Sequence, residues 1–387
     1  MRVGNVGREG FAVVPPVAQP YPAFRVGVSS GARRSSFIAA AAIASSIAGA
    51  GIGAQQQTPR FAERVDVARI IVDVRVLDDR GDPVTGLTAD DFTVSIDGKS
   101  APVETATWMG GGSASPDVGP SAGLSVSPGA GPEAGPEVAP AAQGRLIVFL
   151  FQKDFDASRL RGLMGMLLKS RQVLGTLTPG DRVAVLSFDT QLKIWTDFTN
   201  DRARLDRILS HDLLMERPPI VAASSTPSLV ERLDPDSARH TYGIESALEL
   251  IGEALEPLPG SKSLVLIGHG FGQLGLGGVA MENNYGSARQ ALVAARTSVF
   301  SLDVTDADYH SLEAGLQLVS GETGGFYAKT NLFPDIAMRQ LAGALAGYYA
   351  LFVEKPDSEL AVHDIKTELT RRKGRVLALT SFSERDR

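Results

Sequence analysis

The residues best equipped for chemistry lie in two short stretches, Phe151-Gln152-Lys153-Asp154-Phe155-Asp156-Ala157-Ser158 and Gly268-His269-Gly270-Phe271-Gly272, each directly after a strongly apolar run. Asp154, Asp156 and Ser158 offer hard oxygens at alternate positions. The same two carboxylates would also favour the positive end of a helix that follows them. The second stretch has the form of an oxyanion loop, with His269 as a candidate general base, but no nucleophile accompanies it. Gly27-Val28-Ser29-Ser30-Gly31 fits the Gly-x-Ser-x-Gly pattern only formally, because it does not sit between a strand and a helix. The glycine-rich run from Gly268 to Gly278 is not followed by Lys-Ser or Lys-Thr, so it lacks the groups of a phosphate cradle. With no cysteine, thiolate zinc sites, disulfides and cysteine nucleophiles are excluded. His211, His240, His269, His310 and His363 are scattered with no i,i+4 pair.

The elements that must position these residues are read from periodicity. Leu146 to Phe151, Val183 to Phe188 and Leu264 to Ile267 are continuous apolar runs, as expected of parallel strands buried on both faces. Between and after them, apolar residues recur at helical spacing: Leu160 to Leu168, a helix capped by Thr199, then Gly243 to Leu255, Ser287 to Thr297, Tyr309 to Val319 and Pro334 to Ala346. Strands alternating with helices predict a doubly wound, mostly parallel sheet over residues 144–346. Outside it the pattern is β. Residues 61–108 alternate with period two and hold the Asp97-Gly98 turn of a hairpin; Thr88 caps a short helical turn. Residues 347–383 carry three more strands, at Tyr348 to Val353, Val362 to Leu369 and Arg375 to Phe382. With no helix between them they cannot extend a parallel sheet, and are expected to pair with residues 61–108 as one sandwich-like module. Residues 109–143, almost wholly Gly, Ser, Pro and Ala, cannot bury enough apolar surface to order themselves and are expected to be a disordered linker.

The N-terminal region has its own signature. Arg33-Arg34 precedes the small, apolar stretch Phe37 to Ala54, which predicts a secretory signal within residues 1–54, a mature chain from about Gln55 and no membrane span after cleavage. Periplasm, cell surface or medium is the expected destination. A net charge of -6 without any basic run argues against nucleic acid as a partner.

Several short motifs in a shared order resemble the bacterial family of exported proteins related to the von Willebrand factor A-type (VWA) domain. They are Val74 to Phe92 with Asp97-Gly98-Lys99, Leu177-Thr178-Pro179-Gly180-Asp181-Arg182-Val183-Ala184, Phe198-Thr199-Asn200-Asp201-Arg202, Thr323-Gly324-Gly325 and Tyr348-Tyr349-Ala350-Leu351. The resemblance implies a parallel sheet flanked by helices, with function in the loops at the carboxyl ends of the strands, where open α/β sheets bind ligands. It also implies a divalent cation held by Asp-x-Ser-x-Ser after the first strand, a threonine from a second loop and an aspartate after the fourth strand. This chain departs from that pattern: Gln152 stands at the first carboxylate and His269 at the last, so the metal site is expected to be degenerate. A shifted set of Asp154, Asp156, Ser158 and Thr241 would offer magnesium or calcium its preferred oxygens, against the charge of Lys153 beside it.

The resulting expectation is a non-enzymatic, exported protein that binds an unknown protein ligand through Asp154, Asp156, Thr241 and His269. The alternatives are an envelope assembly protein acting through its β module, and a hydrolase using His269.

Overall fold

The apolar run Leu146–Gln152 (β5) is fully buried on both faces, so its side chains divide between two cores. Ile147, Phe149 and Phe151 enter one; Leu146, Val148 and Leu150 enter the other. A computed structural model describes residues 69–110, 144–356 and 361–383, apart from 155, 226 and 277. In it β5 is central to a six-stranded sheet of order β12-β11-β8-β5-β6-β7. The partners are β6 (Arg182–Phe188), β7 (Leu192–Thr199), β8 (Lys262–Gly268), β11 (Thr297–Asp303) and β12 (Tyr327–Lys329). All neighbours are parallel except β7, which returns from β6 as an antiparallel hairpin. Leu146 pairs with Lys262 and Phe151 with Ile267, so the two apolar runs are adjacent and in register.

Helices cover both faces. The first core takes Leu163 and Leu167 of α1 (Ala157–Leu174), Leu205 of α2 (Arg202–Arg207), Leu213 of α3 (Leu213–Met215), and Met338 and Leu341 of α8 (Pro334–Ala346). The second takes Ala238 of α4 (Pro235–Arg239), Leu248 of α5 (Ile244–Leu255), Leu292 of α6 (Tyr285–Ala294) and Leu316 of α7 (Glu313–Glu322). Each fully buried Leu or Phe removes apolar surface worth about 2 kcal/mol from water.

Both ends of the described chain build two further sheets. The first, of order β15-β1-β13-β4, joins β1 (Arg69–Leu77), β4 (Val103–Gly110), β13 (Gly347–Glu354) and β15 (Arg375–Ala378). The second, of order β16-β14-β2-β3, joins β2 (Phe92–Ile96), β3 (Lys99–Ala101), β14 (Val362–Leu369) and β16 (Ser381–Ser383). They share a core in which Val72, Val74, Tyr349 and Leu351 meet Val94, Ile96 and Ile365, a small β-sandwich. Asp97 and Gly98, at φ 51 and 75, turn the β2–β3 hairpin. The Tyr349 hydroxyl donates to Val84 O and accepts from Leu87 N, fixing the loop that leads into β2. A hairpin of β9 (Gln273–Gly275) and β10 (Gly278–Ala280) projects after β8.

Several elements differ from their sequence-based limits. Met109 and Gly110 belong to β4, because they pair with Tyr348 and Gly347 rather than starting a linker. Residues 1–54 and 111–143 lie outside the described residues. The stretch Arg375 to Phe382 is two strands, since the chain crosses from one sheet to the other at Leu379-Thr380, where Thr380 O accepts from Ile365 N. Helix α2 is capped by Asp201, whose side chain accepts from Arg204 N, while the Thr199 hydroxyl only supports Asp201 N. Helix α6 ends at Ala294 because Thr297 already pairs with Lys262 in the sheet. Helix α7 starts at Glu313 rather than Tyr309, and it runs through Gly321.

The sandwich is fixed to the amino-terminal edge of the central sheet by the polar face of β1. Val72, Val74 and Val76 face the sandwich core; Asp73, Arg75 and Leu77 point the other way and are equally buried. Arg75 Nε donates to Ala344 O (3.0 Å), Nη1 to Ser298 Oγ (2.7 Å) and Nη2 to Ser263 Oγ (3.3 Å). Those partners sit at the end of α8 and the starts of β11 and β8. The guanidinium also lies 5.3 Å from the Phe300 ring and 5.5 Å from Tyr348. Asp73 receives two hydrogen bonds from Arg296. Arg75→Leu strands three buried acceptors at once and is expected to destabilise the protein by about 3–5 kcal/mol in urea unfolding. Removing the exposed Arg69–Glu104 pair by Glu104→Ala is expected to leave the urea midpoint nearly unchanged, because solvent screens the pair.

Candidate functional site

The carboxyl ends of β5, β8 and β11 deliver Gln152, Gly268 and Asp303 to one rim, and the loops that follow form the site. Gln152 is buried and ties the end of β5 to the loop after β8: its Nε2 donates to Gly270 O (2.9 Å) and its Oε1 accepts from His269 N (3.0 Å). An amide can do both jobs, whereas a carboxylate could only accept. At this position the side chain is therefore a clamp between β5 and the glycine-rich loop.

Asp154 and Asp156 organise the first turn of α1. Asp156 is the N-cap, accepting from Ser158 N (2.9 Å), Arg159 N (3.3 Å) and the Ser158 hydroxyl. Asp154 accepts from Asp156 N (3.0 Å) and pairs with Arg159. The Asp156 backbone N–H first, then Arg159, hold the Asp154 carboxyl below the usual carboxylate range. The Ser158 hydroxyl, with the Arg159 and Ser158 N–H groups, does the same for Asp156. Thr241 is buried at the same rim beside the start of β7, its hydroxyl accepting from Leu192 N and donating to Ala238 O, both at 3.1 Å. Lys153 turns away, donating to Leu213 O (2.8 Å) near the end of its helical segment, 5.8 Å from the Trp195 ring.

Of the residues singled out in the sequence, the structure brings together Asp154 and His269, with 3.6 Å between Oδ2 and Nε2. Ser158 joins them only through Asp156. The hydroxyl of Thr241 is engaged with its own neighbours. Burial, then the Arg159 charge, push the His269 imidazole down to about 4, and its Nδ1 is buried without a hydrogen-bond partner. It is neutral at pH 7 and too weak a base for efficient proton abstraction there.

A second group escaped the sequence reading. Asp303, buried at the end of β11, accepts from His310 Nε2 (2.7 Å), the Tyr327 hydroxyl (2.8 Å) and Thr305 N (2.9 Å). Glu313 pairs with Lys329 (2.7 Å) and takes a longer contact from Tyr327 (3.3 Å). One ligand atom each from Asp303, His310 and Glu313 lie within 4.8 Å of one another. One imidazole and two carboxylates suit manganese or zinc. The Lys329 ammonium already balances one of the carboxylates, so a cation would have to displace it. Burial and the hydrogen bond to Asp303 push the Tyr327 hydroxyl far up, so it stays a donor at any physiological pH. The signal available in the sequence was a carboxylate at the end of the short strand carrying Val299, Phe300 and Leu302, followed by His310 and Glu313 across one loop.

Comparison with known proteins finds similarity in fold only. No family model matches the chain, and no curated protein matches it. Solved structures similar to it include the von Willebrand factor type A protein from Catenulispora acidiphila (TM-score 0.38, 9% identity, 82% of this chain and 72% of that one). BatB from Bacteroides thetaiotaomicron is another (0.35, 14%, 52% and 97%), as is human COPII-coat protein Sec24c (0.37, 12%, 62% and 43%). The chain thus spans less than half of the Sec24c chain. The α/β fold class rests on the strand order and register themselves.

The depressed His269 has a measurable consequence. Its folded pKa of about 4 lies below the ordinary 6.5, so the unfolded chain binds the extra proton between those values. The His269 contribution to stability is complete above pH 6.5, falls as pH drops towards 4, and is constant below. Urea unfolding across this window is expected to show a loss on the order of 3 kcal/mol that His269→Asn flattens. Histidine NMR should place the wild-type midpoint near 4, and lower still in Asp154→Asn.

Proposed function

We propose that this protein recognises another protein through the loops at the carboxyl rim of its central sheet, outside the cytoplasm. The observation that carries the reading is the distribution of exposed apolar side chains. Of the eight large apolar side chains at least 65% exposed among the described residues, six, Tyr242, Leu274, Leu276, Tyr309, Leu332 and Phe333, lie on segments next to the carboxyl ends of the strands or on the hairpin that follows β8; the other two are Met215 and Ile220. Large side chains exposed in one region, rather than scattered singly, are a mark of a contact surface. The acids beside them are positioned by Arg159, His310 and Lys329, which gives the surface a polar frame. Export is supported by Arg33-Arg34 and the apolar stretch after it; among the described residues no helix is long and apolar enough to cross a membrane.

An assembly role has one observation in its favour. Strand β4 is an edge strand, paired with β13 on one side and with nothing on the other among the described residues. Such edges can accept another strand.

The two readings separate in one experiment. Proteins of the cell envelope are cross-linked to the full chain and identified, using wild type, the rim variant Leu276→Asp/Phe333→Asp and the edge variant Thr105→Pro/Thr107→Pro. Rim recognition predicts at least about a tenfold loss of the specific cross-linked partner in the rim variant alone. Loss confined to the edge variant, together with a smaller particle in light scattering, would favour assembly instead.

A further inference from the structure

The opposite edge of the central sheet holds a cavity that the rim does not use. It lies at the seam between the sandwich and the α/β layer and has a volume of about 380 Å³. Ile70, Ile71, Val293, Ile365, Leu379 and Phe382 form its apolar wall, and Arg69, Asp73 and Arg296 supply charge. The volume lies at the lower end of the range for ordinary small-molecule pockets. Pockets of this size with an apolar wall and a few converging polar groups are the usual form of a small-molecule site.

The charges around it are unequal. Among the described residues, Arg75, Arg296 and Lys262 are buried or half-buried around Asp73, with Glu256 acting on Lys262; of these Arg296 and Asp73 line the cavity itself, as does Arg69, which is paired with Glu104 at the mouth. Arg75 is hydrogen-bonded only to neutral oxygens, including that of Ser298, which lines the cavity. Lys262 donates to Ala295 O (2.8 Å), another neutral acceptor. Desolvation holds Lys262 down to about 8, as expected of an ammonium short of counter-charge. Arg296 spends Nε and Nη2 on Asp73, two of the five N–H donors a guanidinium carries. Its backbone takes a left-handed conformation, φ 51, unusual for a side chain of this size. That conformation sets Arg296 between the end of α6 and the start of β11, facing β1.

We propose that the seam cavity binds a small amphipathic monocarboxylate, its head group on the remaining donors of Arg296 with Arg69 at the mouth, and its hydrocarbon chain against Ile365 and Phe382. Such a ligand would engage the donors that Arg296 does not spend on Asp73 and fill the apolar space between the two layers. By touching β1, β11 and β16 together, it ties the sandwich more firmly to the α/β layer and stabilises the fold by mass action.

The test uses the full chain and decanoate, a carboxylate of twelve heavy atoms, in calorimetry and thermal unfolding. Saturable heat and a rise in the thermal midpoint of several degrees are expected. Decanol, which keeps the chain but lacks the charge, is expected to bind at least about tenfold more weakly. Ile71→Trp and Val293→Phe, at partly exposed positions, fill the cavity and are expected to abolish binding while retaining the wild-type circular dichroism spectrum. Arg69→Gln should weaken decanoate several-fold and leave decanol unchanged. No saturable heat up to millimolar decanoate would overturn the proposal. So would equal affinity for decanol, or undiminished binding in both filled variants.

Discussion

The polar face of β1 is the constraint on which the rest of the architecture depends. A strand with valines at 72, 74 and 76 would ordinarily leave Asp73 and Arg75 in water. Here those two side chains are buried against the amino-terminal edge of the central sheet. Burying a guanidinium costs several kcal/mol unless every donor direction is answered, and Ser263, Ser298 and Ala344 answer from three separate elements. The arrangement is therefore demanding of geometry: the sandwich can seat in one register only. Once it is seated there, the amino ends of the strands are covered and the carboxyl rim is the open end of the layer.

This division explains why the two ends differ in character. At the rim, loops of up to about sixteen residues carry exposed tyrosines and leucines and acids engaged with their own neighbours. At the seam, side chains are buried, cations outnumber carboxylates, and a cavity remains where two curved layers meet. The hydrogen bonds that order the rim are local to each loop or join adjacent loops. Those that Arg75 and Asp73 make at the seam span more than 180 residues of sequence.

Much of the fold was legible because continuous apolar runs and helical spacing are properties of single segments. The positions of Leu146 to Phe151, Leu264 to Ile267 and the helix Pro334–Ala346 followed from those patterns. The motifs behind the family resemblance prove structural. Asp181, in the turn before β6, accepts from the backbone and guanidinium of Arg145 and from Thr178 N. Thr323 bonds Val299 N and Val319 O, and a Cβ on Gly325 would lie 1.8 Å from Val299 O, so that motif is a tight crossing of helix and strand. Tyr349 pins the loop before β2. None of these residues reaches the rim. Motif and ligand surface are therefore separate, which is why the resemblance gave architecture more readily than site.

At the site itself, Asp154 and His269 do meet, as two loops after neighbouring strands can. The roles of Asp156 and Thr241 depended on which backbone groups lay nearby, and no spacing rule reveals that. Asp303, His310 and Glu313 escaped because their loop folds back on β11 through contacts with Tyr327 and Lys329 of the next strand. The most direct test of the account is hydrogen exchange on the intact chain, compared between β1, β8 and the rim loops. If the sandwich is locked to the sheet through Asp73 and Arg75, amides of Val72 to Leu77 and Leu264 to Ile267 should share one slow, global opening, with residues 273–283 and 304–312 exchanging far faster. Independent, faster opening of Val72 to Leu77, with Leu264 to Ile267 still protected, would contradict it.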